Sequence, residues 1–531
     1  MGILDDLNAQ KDLYRITEEN IVDVYKMNKL PWVIGYSGGK DSTCTTQIII
    51  NTLIKMKKAG EELIKPVYII SSDTLVENPT IVGTIHKTID NINALANKEG
   101  IPVSAHVIRP EYDNSFWANL IGRGYPCPNQ TFRWCTDRMK INPANDFITS
   151  IVSKYGEAIV VLGVRDGESN SRDRVLSEHT IEGRKLMHHT TMANAYVFAP
   201  IRSFGVEDVW NYLLENESPW GSDNKELFNK YMEAEGECPL IIDKEMKKAH
   251  TCGNSRFGCW VCTVVTKDKS LTSAIDKGEK WLLDLLEYRN WLYSIRDDEQ
   301  MRMRRRQDGS IYFSKVNIVN DSIVIPAKGD KKKNVVSFVD GKWIDSFGVE
   351  WVLFDGPDCE DKAKDFIKKN NVCLDDGSNP HILIKKINGE IGQLGPGPFT
   401  MDARRLILKK LFELQLKLKK PYPLFKEEEL LEIRKIWNSC GVYDNYIVDL
   451  YYEMFGKELN NVVFDDIKLL DKDDYAELRN ICMDIGIYVG LITEILNLEQ
   501  KYMGYNNRQN LNKALKTTLS KEVTQMYIAE E

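Results

Sequence analysis

Residues 35–42 read Gly-Tyr-Ser-Gly-Gly-Lys-Asp-Ser, and their reading decides the fold. They follow an apolar run, Pro31-Trp32-Val33-Ile34, and precede Thr43-Cys44-Thr45-Thr46-Gln47-Ile48-Ile49-Ile50, which suits a helix. Strand, glycine turn and helix in this order bring free backbone N–H groups and the positive end of a helix dipole to one point, which suits a pyrophosphate. Gly38 and Gly39 let the backbone approach the anion, Ser37 and Ser42 offer hydroxyls, and Lys40 adds a positive charge. The spacing is not that of a Walker loop, whose first glycine stands further from its Gly-Lys-Ser/Thr.

Outward from this stretch, short apolar runs alternate with helical patterns. Trp32–Tyr36, Pro66–Ser71, Val103–Ile108 and Ala158–Val164 read as buried strands, with helices such as Thr45–Ala59 and Thr80–Lys98 between them. Such alternation predicts an α/β fold with a doubly wound parallel sheet, and ligands at the carboxyl ends of its strands. The informative residues fall at those ends: Ser37–Ser42 after the first strand, Ser72 and Asp73 after the second, Arg165–Arg174 after the fourth. Asp73 reads equally as a nucleoside contact or a strand-end cap.

From about Pro219 cysteines, glycines and charges replace this rhythm, and a helix rich in Trp and Leu follows near Lys280–Ile295. Residues 311–355 hold β-branched and aromatic runs, such as Ser322–Pro326 and Asn334–Val339, that predict a small antiparallel sheet. Asp355–Pro398 is rich in turn residues and ends in Gly395-Pro396-Gly397-Pro398. Thr400 is a candidate cap for a helix over Met401–Lys419, and the remainder reads as helical. The expected segments are 1–218, 219–300, 301–399 and 400–531.

A chain of 531 residues is too long for one core, and 43 % apolar with 28 % charged residues is a soluble composition. No stretch is long and apolar enough to span a membrane and the start lacks a signal pattern, so the expectation is a cytoplasmic protein without a membrane partner. A net charge of −8 argues against strong non-specific nucleic-acid binding by the chain alone, without excluding local basic patches. Arg302, Arg304, Arg305 and Arg306 form one such run and Lys331, Lys332 and Lys333 another; most runs of this kind are solvated faces.

Three further constellations accompany the glycine loop. They are Phe132-Arg133-Trp134-Cys135-Thr136 with Lys140, Gly163-Val164-Arg165-Asp166-Gly167-Glu168-Ser169 leading to Arg172, and Pro200-Ile201 with Val206-Glu207-Asp208-Val209-Trp210. Arginines at strand ends hold phosphate or sulfate through paired N–H groups. Taken together and in order, these segments from about 30 to 215 resemble the phosphoadenosine-phosphosulfate reductase family. That family is a branch of the PP-loop ATP pyrophosphatases, which split ATP between its α and β phosphates.

Cys238, Cys252, Cys259 and Cys262 lie within 25 residues, too dense for chance and too few for a disulfide scaffold. Four thiolates suit an iron–sulfur cluster or tetrahedral zinc, and spacing alone does not separate them. Cys238 is the least certain of the four, and Cys135 is its alternative. The segment His250-Thr251-Cys252-Gly253-Asn254-Ser255-Arg256-Phe257-Gly258-Cys259-Trp260-Val261-Cys262 resembles that of the DndC-like sulfurtransferases of bacterial DNA phosphorothioate modification. The resemblance implies a PP-loop domain, an iron–sulfur module and a mainly helical C-terminal region. It also implies ATP with Mg2+, a 4Fe-4S cluster on those cysteines, DNA as substrate, and as partners a cysteine desulfurase and other Dnd subunits.

On that resemblance Ser37, Gly38, Gly39, Lys40, Asp41, Ser42, Asp73, Gly163, Arg165 and Arg172 bind the nucleotide. Lys40, Asp41, Arg133 and Cys135 serve the chemistry, with Asp41 touching the metal or only favouring the helix start. Cys135 beside Arg133 reads either as an activated thiol or as a buried structural one. Two other functions fit parts of the sequence. One is a phosphoadenosine-phosphosulfate reductase acting on a small sulfonucleotide, and the other a non-catalytic, nucleotide-switched assembly subunit.

Overall fold

The computed structural model describes residues 3–167, 185–189, 191–235, 258–319, 322–325, 334–420, 422–442, 444–459, 472–485, 487, 489–501 and 509–519. The chain divides into two compact units, one of 1–111 with 128–286, the other of 112–127 with 287–531. The expected segments follow changes in sequence texture, whereas these units follow packing.

The first unit is built on a six-stranded sheet in the order β3-β2-β1-β4-β6-β5. Its strands are β1 (Trp32–Gly35), β2 (Val67–Ser72), β3 (Val103–Ile108), β4 (Ala158–Val161), β5 (Met187–His188) and β6 (Ala195–Phe198). All pairings are parallel except that of β5 with β6. The central strands are apolar on both faces, as a sheet covered by helices on both sides requires. On one face Trp32, Ile34, Ile69 and Val161 pack with Ile48 and Trp210; on the other Val33, Ile70 and Val160 pack with Ile148 and Ile151. Each such aliphatic side chain contributes about 1.5–3 kcal/mol of burial free energy.

Three helices matter for the site: α1 (Ile3–Met27), α2 (Lys40–Lys58) and α3 (Pro79–Glu99). In α3 the Asn78 side chain accepts from Thr80 N, Pro79 occupies the first turn, and Gly100 at φ +62° ends the helix. The second helix begins at Lys40, five residues before the expected Thr45, because Gly39 caps it with extended backbone and no side-chain bond. Strand β1 is paired on one side with β2 and on the other with β4. The crevice at a topological switch point therefore opens at the carboxyl ends of β1 and β4, where Ser37–Ser42 and Leu162–Arg165 follow.

One buried charge in this unit has a measurable consequence. Lys65 is only 2 % exposed; its ammonium donates to Val24 O (3.3 Å) and Asn28 Oδ1 (3.2 Å) at the C-terminus of α1 and lies over the Tyr25 and Trp32 rings. Burial pushes its pKa down to about 8. The unfolded chain therefore binds the extra proton between about pH 8 and the unfolded value near 10.4, and stability from this group rises with pH across that window. Lys65→Met is expected to remove a slope of up to about 1.4 kcal/mol per pH unit there, read as the difference between wild-type and variant urea denaturation at pH 8, 9 and 10.

The second unit contains a sheet ordered β7-β14-β13-β12-β11-β10-β9-β8. The strands are β7 (Phe313–Lys315), β8 (Asn317–Val319), β9 (Ser322–Ile325), β10 (Asn334–Val339), β11 (Lys342–Asp345), β12 (Glu350–Asp355), β13 (Ile382–Lys385) and β14 (Ile391–Leu394). β7 and β8 are the two halves of one run joined through Val316, whose N–H donates to Ile391 O (2.9 Å). The two edges of the sheet thus belong to one strand, and the sheet closes into a barrel. Val316, Ile323, Val336, Trp351, Leu383 and Ile391 fill it.

The expected antiparallel sheet over 311–355 is part of this barrel. The turn-rich stretch 355–398 supplies the helix Cys359–Lys369, with β13 and β14, and β12 pairs parallel to β13 across that helix. Thr400 accepts from Ala403 N and starts the helix Met401–Lys417, and the rest of the described C-terminal region is helical.

Residues 112–127 pack here and not in the sheet unit that surrounds them in sequence. Trp117 Nε1 donates to Leu424 O (2.8 Å), and Trp437 Nε1 donates to Ile121 O (3.0 Å). Within the arginine run Arg302 and Arg304 are buried, while Arg306 is exposed. Arg302 and Arg304 are 8 % and 2 % exposed, Arg305 pairs with Asp375, and Gly397 abuts the Arg305 carbonyl so closely that a Cβ would lie 1.8 Å from it. Backbone carbonyls meet the Arg302 guanidinium, and the carboxylates of Glu299 and Asp375 meet those of Arg304 and Arg305. Lys331–Lys333 lie outside the described residues. Among the described residues no helix is long and apolar enough to cross a membrane.

Candidate nucleotide and sulfur site

After β1 the chain turns through Gly38, at φ +71°, a conformation that favours glycine. The loop then bonds to itself. Ser42 Oγ donates to Gly39 O (3.0 Å) and accepts from Ser37 N (3.2 Å), and Ser37 Oγ lies 3.0 Å from Ser42 Oγ. Among the described residues the first-turn amides of Asp41 and Ser42 have no backbone or side-chain acceptor, which is the donor array an anion requires. The loop therefore fits the pyrophosphate of ATP.

Asp41 stands between two cations. Lys40 Nζ is 3.0 Å from Oδ2, and Arg165 Nε donates to Oδ1 at 2.6 Å. Arg165 is 6 % exposed and Asp41 16 %, so the pair is screened little by water. Gly163 brings this arginine into place. A Cβ there would lie 2.8 Å from Asp41 O and 2.9 Å from Thr45 Oγ1, so only glycine lets the turn after β4 rest on the first turn of α2. Lys40 and Asp41 on one side and Gly163 and Arg165 on the other, far apart in sequence, form one assembly, and in it Asp41 is tied up by the two cations.

Asp73 ends β2 under three constraints: Arg109 Nε donates to it (2.9 Å), His86 Nε2 lies 3.5 Å away, and its Oδ1 accepts from Leu75 N (3.0 Å). The strand-end cap is therefore a role the structure displays. Next to it the chain reaches the cysteines. Thr74 Oγ1 lies 3.3 Å from Cys259 Sγ and donates to Glu77 Oε1 (3.0 Å); Trp260 N donates to Val76 O (3.0 Å). Lys140 Nζ pairs with Glu77 Oε1 at 3.2 Å.

Cys135 belongs to this neighbourhood. Its thiol pKa is raised by burial and then by the charge of Cys262, with Lys140 opposing. Burial likewise raises Cys259, with Glu77 adding and Lys140 opposing. The cation beside Cys135 is thus Lys140 and not Arg133, which is exposed at the start of the short helix Trp134–Thr136, and the expected lowering by Arg133 gives way to burial. Cys135, Cys259 and Cys262 thus share one neighbourhood with Lys140. Among the described residues no three or more His, Cys, Asp or Glu side chains are placed to hold a metal ion together. Cys238, Cys252 and Arg172 lie outside the described residues.

Sequence reasoning named Lys140 without a role and missed Glu77, Thr74 and Tyr231. Glu77 and Thr74 directly follow β2, a position that marks them once the sheet is known. Tyr231 carries no local signal.

Comparison with known proteins addresses the same span. Residues 31–265 match the model of the phosphoadenosine phosphosulfate reductase domain. This part of the chain is similar to such a domain. The match ends three residues after Cys262, so it spans both the loop and Cys135, Cys259 and Cys262. An uncharacterized protein of Methanocaldococcus jannaschii is 26 % identical over 261 residues, which is 46 % of this chain and 46 % of that protein. The chain thus spans under half the length of this relative. Among solved structures, the domain is similar to the phosphoadenylyl-sulfate reductase of Candida auris in its phosphate complex, at 14 % identity and TM-score 0.25, covering 42 % of this chain and 90 % of that one. It is also similar to the U34-tRNA thiolase of Methanococcus maripaludis with its [4Fe-4S] cluster, at 13 % identity and TM-score 0.26, covering 46 % and 76 %. At such scores these likenesses bear on neither substrate nor mechanism.

Proposed function

We propose that this protein is a sulfurtransferase of DNA phosphorothioate modification, using ATP to activate a backbone phosphate. One observation carries the reading: a single sheet unit holds both a pyrophosphate-type loop and the thiols of Cys135, Cys259 and Cys262 beside Lys140. Activation and sulfur delivery need these two parts. The likeness of residues 250–262 to the DndC-like segment directs the reading to DNA.

In this scheme Ser37, Gly38, Gly39 and Ser42, with the amides of α2, hold the β and γ phosphates of Mg-ATP, and Lys40 offsets their charge. A non-bridging oxygen of the DNA phosphate attacks the α phosphorus, and pyrophosphate leaves. The terminal sulfur of a Cys135 persulfide, loaded by a cysteine desulfurase, then attacks the DNA phosphorus, and AMP departs with that oxygen. A second thiolate attacks the remaining S–S bond, which leaves sulfur on DNA and a protein disulfide that an external dithiol reduces. Cys238, Cys252, Cys259 and Cys262 are the residues that would hold an iron–sulfur cluster, which would supply thiolate-bound iron for handling sulfur. Other Dnd subunits would complete the assembly.

The test combines the protein with Mg-ATP, duplex DNA, a desulfurase with cysteine, and a dithiol. The expected products are AMP, pyrophosphate and phosphorothioate dinucleotides in the nuclease digest, with a loss of roughly a hundredfold or more in Lys40→Ala. Release of ADP and phosphate would overturn the loop chemistry. Sulfite formed from phosphoadenosine phosphosulfate, with DNA unmodified, would replace this reading by the reductase. Zinc without iron or acid-labile sulfide in anaerobically purified protein would remove the cluster.

A further inference from the structure

Tyr231 stands where a phosphate oxygen would. It lies on the helix Asn224–Glu235, and its phenol oxygen accepts from Lys40 N at 3.3 Å, the first amide of α2 and the one nearest the loop. The fit is close: a Cβ at Gly39 would be 3.1 Å from that oxygen. The ring also lies 5.5 Å below the Lys40 ammonium. One amide proton and one ammonium that a pyrophosphate would use are therefore engaged by a neutral side chain.

The way this tyrosine is held gives the contact direction. Its ring meets Trp210 edge-on at 5.2 Å, and Phe228, one turn earlier, meets Trp210 at 5.1 Å. The start of the helix is tied down by Asn224 Nδ2, which donates to Gln47 Oε1 (3.0 Å) and Leu213 O (2.8 Å). The anchored end is thus Asn224 and the end over the loop is Tyr231.

We propose that Tyr231 is a stopper of the pyrophosphate loop, a stand-in acceptor that the nucleotide must displace. Displacement breaks the contact with Lys40 N and frees that amide for the incoming anion. The inference rests on the pyrophosphate reading of the loop.

Titration calorimetry of the full-length protein with magnesium pyrophosphate separates the two. Tyr231→Phe keeps the ring, its packing on Trp210 and its position under Lys40, and removes only the competing oxygen. It is expected to bind pyrophosphate about three- to tenfold more tightly than wild type, the worth of one net hydrogen bond. A merely structural hydroxyl would give the opposite sign, because disturbing its surroundings loosens the loop. Wild-type affinity or weaker binding in Tyr231→Phe, with Lys40→Ala weakened, overturns the stopper and leaves the loop reading standing. Wild-type protein that binds no pyrophosphate, or binds it as well after Lys40→Ala, overturns the loop reading itself.

Discussion

Arg165→Met is expected to lower the stability of the folded chain by about 3 kcal/mol and, under the proposed function, to reduce ATP cleavage roughly a hundredfold. Methionine fills the volume of the stem but leaves the Asp41 carboxylate, at 16 % exposure, without the guanidinium that meets it at 2.6 Å. Breaking one side of a buried pair costs about 3–5 kcal/mol, because the remaining charge is stranded. The low end applies here, since Lys40 still faces Asp41 at 3.0 Å. Guanidinium denaturation measures the loss. The double variant Arg165→Met/Asp41→Asn should regain most of the stability and none of the activity, because it removes the stranded charge without restoring the cation. A double variant as unstable as the single one would show that packing and not charge holds Arg165.

Gly163→Ala should have the second largest effect, and it acts through a single methyl group. A Cβ at this position would meet Asp41 O and Thr45 Oγ1 below 3 Å, and neither a helix backbone nor a fully buried threonine can give way cheaply. Overpacking of this kind costs about 1–3 kcal/mol. The turn after β4 must lift, which withdraws Arg165 from Asp41 and skews the first turn of α2. Pyrophosphate affinity is expected to fall by about tenfold or more, roughly the worth of one charge-assisted hydrogen bond. Gly83→Ala is the control, since Gly83 lies inside α3 with nothing within 4 Å of where its methyl group would stand, and the helix should gain up to about 1 kcal/mol. Equal melting temperatures for wild type and Gly163→Ala would show that the turn moves freely.

What sequence reasoning reached and what it missed divide along physical lines. The loop, the strands β1 to β4 and the Thr400 cap rest on local signals, namely apolar runs of fixed period and residues that satisfy a helix end. The Arg165–Asp41 pair is half legible: both residues stand out, but their meeting depends on Gly163. Lys140 replaces Arg133 at Cys135 because a helical segment, not adjacency in sequence, decides which cation reaches the thiol. The strands β13 and β14 are only four residues each, embedded among turn residues, and draw their order from closing the barrel. Arg302 defeats a surface reading because one of its acceptors, Gly397 O, is a backbone atom brought from far along the chain, whereas Arg304 pairs with the Glu299 carboxylate five residues before it.

The insertion of residues 112–127 into the second unit has a kinetic consequence during synthesis. Phe116, Trp117, Leu120 and Ile121 leave the ribosome together, yet the Trp437 indole that bonds to Ile121 O follows 316 residues later. At about 5–20 residues per second, that apolar strip waits on the order of tens of seconds for its partners. Meanwhile the sheet unit can form around the gap, since the sequences of β1 through β6 and the helices that cover them have all emerged by then. The nascent chain is therefore a finished nucleotide domain carrying an unfinished, sticky loop. Slow elongation or a scarcity of chaperones should reduce the yield of this protein more than its final stability would suggest.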